Sequence, residues 1–137
     1  MSFRTYSDGG ARGNPGPAAI GVVLCDDKDQ VIEETSRSIG ETTNNVAEYN
    51  AMLLALELAQ KHNVQEVVCY ADSELIIFQL TGVYRIKDSR MKVLSDKVRE
   101  AVKNFKRVEF RQVPREHPMI SRADKLLNQT LNRSKYS

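Results

Sequence analysis

The feature that most restricts this chain is a change of apolar period at Gly40. Upstream, residues 3–7, 18–25 and 31–39 read as strands bounded by turn residues. A Gly- and Pro-rich turn spans 8–17, and Asp26-Asp27-Lys28-Asp29 is turn chemistry before the third strand. Connections this short join strands antiparallel. Downstream, 45–62 places apolar residues at helical spacing among strong helix formers. Residues 67–71 read as a buried strand, and 73–80 as a helix stopped near Gly82. A helix over 91–104, a strand over 108–113 and a closing helix over 121–131 complete the order. Three meandering strands followed by alternating helix and strand predict an α/β fold. Its sheet is mixed and five-stranded, three antiparallel strands then two parallel, flanked by helices. No linker composition or internal repeat interrupts the 137 residues, so a single domain is expected over 1–137.

Composition excludes more than it selects. With 41% hydrophobic and 28% charged residues the chain is ordinary for a globular protein, and a net charge of +2 announces no nucleic-acid partner. The distribution says more, because Lys and Arg clearly outnumber Asp and Glu between Arg85 and Arg115. That surplus is either a solvated helix face or a phosphate-binding surface. Cys25 and Cys69 lie in apolar runs without metal-ligand spacing, as buried free thiols of a reducing compartment do. The N-terminus has no apolar signal core, and the longest apolar run, 51–56, is too short to span a bilayer. A soluble cytoplasmic protein, monomeric by default and without membrane contact, is the expectation.

Four carboxylates occupy unusual places. Asp8 ends the first expected strand and Asp72 the fourth, and ligands in sheets of this kind bind beyond the strands' carboxyl ends. If those strands are parallel neighbours, the two carboxylates are close. Glu48 shares a stripe with Met52, Ala55 and Ala59, on the face that should be buried, and a lone buried carboxylate is costly unless paired or metal-bound. Asp124 opens the last helix beside Ala123, Leu126 and Leu127. Each also has a purely local explanation. Asn45 to Glu48 and Ser121 to Asp124 have the form of capping boxes, Asp72 suits a helix cap, and Asp8 suits its turn. Together they favour a shared site, since converging acids repel one another without a cation. Oxygen-only ligands select a hard divalent ion, Mg²⁺ or Mn²⁺.

The segments that hold these acids resemble the motifs of type 1 ribonucleases H. Tyr6 to Ala18 is similar to the family's opening motif, and Thr43 to Ala51 to its first-helix motif. Tyr70 to Ser73 is similar to its strand-end motif, and Ala123 to Leu126 to that of its final helix. Four motifs in order, at matching intervals, cover essentially the whole chain. The resemblance implies a ribonuclease H-like fold in which Asp8, Glu48, Asp72 and Asp124 hold two Mg²⁺ ions. It implies cleavage of the RNA strand of an RNA/DNA hybrid, leaving 5′-phosphate and 3′-hydroxyl. Two metals about 4 Å apart can activate the attacking water and stabilise the leaving oxygen. His117 falls in the loop where the family keeps a flexible histidine, at a shorter interval from the last acid, and Arg115 is the alternative for that role. Asn14, Asn44 and Asn45 match positions that read 2′-hydroxyls in the minor groove. Thr43 matches a contact to a DNA-strand phosphate, and Arg12 belongs to the same substrate-binding set.

Two departures from the family pattern stand out. Glu41 occupies a position where many relatives place a basic residue. The chain has no Trp, and 82–87 runs almost directly into the next helix, so it resembles the shorter variant lacking a basic protrusion. Hybrid affinity is then expected to rest on the charges between Arg85 and Arg115 and to fall steeply with salt. Tyr84, beside Arg85 and Lys87, suits either a sugar contact or the core, and His62, at the end of a helix, reads as surface or as a helix C-terminal charge. Two rival readings remain: a DNA nuclease on the same scaffold, which has no use for residues that read 2′-hydroxyls, and a catalytically silent hybrid-binding protein, which has no use for four clustered acids.

Overall fold

The structure, a computed structural model, describes residues 2–136, with side chains through residue 133. In chain order the elements are β1 (Phe3–Ala11), β2 (Gly16–Cys25), β3 (Val31–Thr42), α1 (Asn44–Lys61), β4 (Glu66–Ala71), α2 (Glu74–Leu80), α3 (Ser89–Val102), β5 (Arg107–Gln112) and α4 (Pro118–Tyr136). The strands form a five-stranded sheet of order β3-β2-β1-β4-β5. β3, β2 and β1 pair antiparallel, whereas β1–β4 and β4–β5 pair parallel. This is the mixed sheet expected from the change of period.

Two boundaries differ from the expectation in ways that matter for the site. β1 continues through Gly9 and Gly10 to Ala11, because 8–11 keeps pairing with 18–21 of β2. Asp8 therefore lies inside β1, two residues past the parallel run, whose last register pair is Tyr6 with Tyr70. α4 starts at Pro118, three residues before the expected position, with proline in its favoured first-turn place. His117 begins it: the Met119 N–H donates to His117 Nδ1 at 3.1 Å, and the Ser121 N–H to the His117 carbonyl at 2.9 Å.

The core is built on both faces of the sheet. α1 buries residues on nearly every side (Ala47, Tyr49, Leu54, Leu56 and Leu58 among them), because it packs on the sheet and against α3. α4 covers the opposite face through Ile120, Ala123, Leu127 and Leu131. Two glycines set how closely these helices approach. A Cβ on Gly9 would lie 2.4 Å from the Ala47 carbonyl carbon, and one on Gly21 would lie 2.3 Å from the Ala123 oxygen. Each helix thus meets the sheet at backbone distance beside one of the acids, Glu48 or Asp124. Cys25 and Cys69 are free and buried, and burial pushes their thiols up to about 11 and about 12, so neither is a ready nucleophile. Among the described residues, no helix is long and apolar enough to cross a membrane.

Candidate active site

Parallel pairing of β1 with β4 stops at Tyr6 and Tyr70, and two residues further on Asp8 and Asp72 project where the strands diverge. Side chains two apart on a strand share a face, so Asp8 stands on the side of Tyr6, while Asp72 follows the last residue of β4. Glu48 arrives from the first turns of α1. Its Oε1 accepts the Gly9 N–H at 2.5 Å, a donor that β4 does not reach. Asp8, Glu48 and Asp72 each offer an oxygen, and these atoms all lie within 4.8 Å of one another. Asp124, on the second turn of α4, lines the same cleft and adds to the rise of the Asp8 carboxyl. The four acids line one cleft with Gly10, Arg12, Asn44, Asn45, Arg115 and Asn128.

The local alternatives for these acids are not what the chain adopts. Thr43 caps α1, its Oγ1 accepting the Val46 N–H at 3.3 Å, and Glu48 reaches across to Gly9 instead of back to a cap. Ser73 caps α2 through the Ile76 N–H, which leaves the Asp72 carboxylate free of capping duty. Asp124 falls beyond the start of α4, so Ser121 is no cap either.

Electrostatically the cluster is strained. Burial, then the neighbouring charges of Glu48 and Asp72, raises the Asp8 carboxyl far above the ordinary range. Burial also raises Glu48, while the Gly9 N–H and the Arg115 charge oppose that rise. A set of oxygens that repel one another at this range has the donor chemistry of a divalent-cation site.

The remaining residues singled out in the sequence are placed as follows. Asn14 Oδ1 accepts the Asn44 N–H at 3.0 Å, and Asn44 Oδ1 accepts the Ala11 N–H at 2.8 Å, locking the β1–β2 turn onto the start of α1. Asn45 lines the cleft; Thr43 does not. Arg12 reaches across to α4, donating to Asn132 Oδ1 at 2.7 Å and to the Asn128 carbonyl at 3.3 Å. His117 is not among the residues lining the cleft; its ring stacks on Tyr6. Arg115 does line it. Glu41 is exposed on β3.

Part of the expected basic surface is internally occupied. Arg107 and Arg111 both bind Glu109 and hold its carboxyl below the usual range, and Arg99 donates to the Gln79 carbonyl at 3.2 Å. Tyr84 packs edge-on against Phe78 and donates to Glu74 at 2.5 Å, and His62 pairs with Glu33 at 2.7 Å. Asn128 and the Gly9 N–H are site groups that sequence reasoning missed. The first was within reach, lying one turn after Asp124 on the same helix; the second needed the sheet.

A family model described as reverse transcriptase-like matches residues 6–129. A protein of Halobacterium salinarum named ribonuclease HI is 38% identical over 127 residues, 93% of this chain and 63% of that protein. The crystal structure of RNase H1 from Halobacterium salinarum superposes with a TM-score of 0.93 at 36% identity, covering 97% of this chain and 99% of that one. This chain belongs to the type 1 ribonuclease H family. A second member, LC11-RNase H1 in complex with an RNA/DNA hybrid, gives a TM-score of 0.91 at 42% identity over 96% of this chain and 98% of its own. Like the shorter ribonucleases H foreseen from the sequence, the chain runs from α2 to α3 without an intervening helix. It spans less than two thirds of the length of the halobacterial sequence.

Proposed function

We propose that this chain is a metal-dependent endoribonuclease that hydrolyses the RNA strand of RNA/DNA hybrids, leaving 5′-phosphate and 3′-hydroxyl ends. The observation that carries the reading is the convergence of Asp8, Glu48 and Asp72 within 4.8 Å, from β1, from α1 and from just past the end of β4. A protein that only bound a hybrid would gain nothing from concentrating negative charge where phosphates approach. Family membership, and the hybrid held by LC11-RNase H1, point to the same substrate.

In this reading Asp8, Glu48, Asp72 and Asp124 hold two Mg²⁺ ions, with Mn²⁺ as a substitute. When bound, such ions activate water and neutralise charge on the leaving oxygen of an in-line phosphoryl displacement. The protein's part is to hold four carboxylates fixed in one place: Gly9 orients Glu48, and the backbone contact at Gly21 holds α4 close enough for Asp124. Arg115 presents a cation to the phosphate or to the departing product, the role that the sequence left open between it and His117. Asn14, Asn44 and Asn45 read the 2′-hydroxyls of the RNA, which separates a hybrid from duplex DNA. Thr43 contacts a DNA-strand phosphate, and Arg12 lies at the lip of the cleft. The chain works as one domain over 1–137, as a monomer, in the cytoplasm, where its two buried thiols stay reduced.

The test is cleavage of end-labelled RNA/DNA hybrid, duplex DNA and duplex RNA of one sequence, with Mg²⁺ or with chelator. Cutting of the hybrid RNA alone, abolished by chelation, is the expected result. Equal cutting of duplex DNA would identify a DNA nuclease. Metal-independent binding without cleavage would identify a silent hybrid binder.

A further inference from the structure

Behind the acids lies a three-ring stack that the proposed chemistry does not use. Tyr6 and Tyr70, register partners on β1 and β4, stack at 5.0 Å with an interplanar angle of 11°. His117 stacks on Tyr6, also at 5.0 Å, at 23°. The stack stands two residues before Asp8 on the same face of β1, and two residues before Asp72, which follows the end of β4. Its outermost ring belongs to the segment that carries Arg115.

That segment is fixed at both ends. At its start, the Val113 N–H donates to the Ala71 carbonyl at 3.0 Å, and Gln112 Nε2 to the Asp72 carbonyl at 3.3 Å. At its end, His117 makes three attachments. Its N–H donates to the Pro114 carbonyl at 3.0 Å, closing a tight turn around Arg115. Its Nδ1 accepts the Met119 N–H at 3.1 Å and so starts α4. Its ring lies on Tyr6, whose hydroxyl donates to Asp29 Oδ1 at 2.8 Å. Arg115 itself is exposed, and it meets the cleft through its charge on Glu48.

We infer that His117 is a positioning residue: by stacking on Tyr6 it locks the 113–117 turn and holds the Arg115 guanidinium over the acidic cleft. The inference rests on the nuclease reading for its effect on turnover, while the lock itself is a property of the fold. Aromatic stacking beyond area burial is a modest interaction, but it acts on a turn with few other anchors. An exposed arginine on a loosened turn samples many rotamers, and misplacement of a charge by about 1 Å near reacting groups costs up to roughly a hundredfold.

Two variants separate the stack from the helix cap. His117→Ala removes both. His117→Asn keeps a side-chain acceptor suited to starting a helix but loses the ring. With hybrid substrate and Mg²⁺, kcat is expected to fall roughly ten- to a hundredfold in both variants with KM little changed. The melting temperature should drop in His117→Ala and recover in His117→Asn. Adding Arg115→Ala to His117→Ala should cost nothing further, because both remove the same placed charge. Full kcat in His117→Asn, or additive losses in the double variant, would overturn the inference. Backbone ¹⁵N relaxation of residues 113–117 in the metal-free protein reads the lock without any substrate. Order comparable to β5 in the wild type and fast motion in both variants is expected. An equally ordered turn in the variants would overturn the lock. A loosened turn in the variants of a protein that cuts no hybrid would leave the lock standing and remove the nuclease reading.

Discussion

The backbone N–H of Gly9 donates to Oε1 of Glu48 at 2.5 Å, joining the last part of β1 to the second turn of α1 at the point where the acids meet. The bond exists because the α-carbon of Gly9 touches the helix backbone: any side chain there would occupy the space of Ala47. One glycine therefore serves both the packing of α1 and the aim of a carboxylate.

This makes Gly9 and Gly10 a diagnostic pair. Gly9→Ala should destabilise the protein by at least about 1–3 kcal/mol through overpacking, and should weaken metal uptake as Glu48 moves away. At Gly10 the nearest atom to an added Cβ is Leu127 Cδ1 at 3.5 Å, an ordinary contact, so Gly10→Ala should fold normally. Chemical denaturation and calorimetric Mg²⁺ titration of both variants check this. Equal stability losses would remove the argument from close approach.

The acid cluster makes metal-free protein sensitive to pH. Asp8 and Glu48 both have raised folded-state values, so the native state binds more protons than the unfolded one above the ordinary carboxylate value of about 4. Stability of the chelator-treated protein should therefore be greatest in mild acid and decline as pH rises from about 4 through neutrality. Saturating Mg²⁺ should oppose the decline, contributing about 2.7 kcal/mol at a hundredfold excess over its Kd. Melting temperatures from pH 4 to pH 8, with and without Mg²⁺, would expose a flat metal-free profile if the repulsion were absent.

Replacing Asp8 by Asn separates stability from activity. Asp8→Asn removes the most strongly perturbed charge, and should stabilise metal-free protein at pH 7 by more than about 1.4 kcal/mol, the equivalent of one pKa unit. Cleavage should fall by at least about 10²–10³-fold, as when a preorganised charge-stabilising group is lost. Hybrid affinity should hold or improve, because less negative charge faces the phosphates. An unfolded variant would show that Asp8 serves structure first.

Helix capping distinguishes Thr43 from its neighbour Asn45. Thr43→Ala should cost about 1 kcal/mol through the lost cap on the Val46 N–H. Asn45→Ala, which removes no cap, should change stability by no more than about 0.5 kcal/mol while narrowing the preference for hybrid over duplex DNA. Parallel denaturation and competition-binding curves measure both. A large stability loss in Asn45→Ala alone would restore the capping box that the sequence suggested.

Much of this protein is decided by local chemistry and so could be read along the chain. Strand and helix periods, glycine- and proline-rich turns and the spacing of apolar residues depend on neighbours within a few positions, and each expected element forms. The stripe of Met52, Ala55 and Ala59 was legible for the same reason, and it is buried with Glu48 half-buried at its start. Element ends were less so: β1 runs on to Ala11 because β2 lies beside it, and α4 starts early because His117 supplies the first acceptor. What only the tertiary structure decided is which partner each polar group takes. Asp72 and Glu48 both had a nearby helix end to cap, and lost that choice to Ser73, Thr43 and Gly9. The cluster itself joins residues 8, 48 and 72, and closing such long loops is favourable only once sheet and helices have packed. Composition and spacing name the acids; the three-dimensional arrangement brings their charges close enough to need a cation.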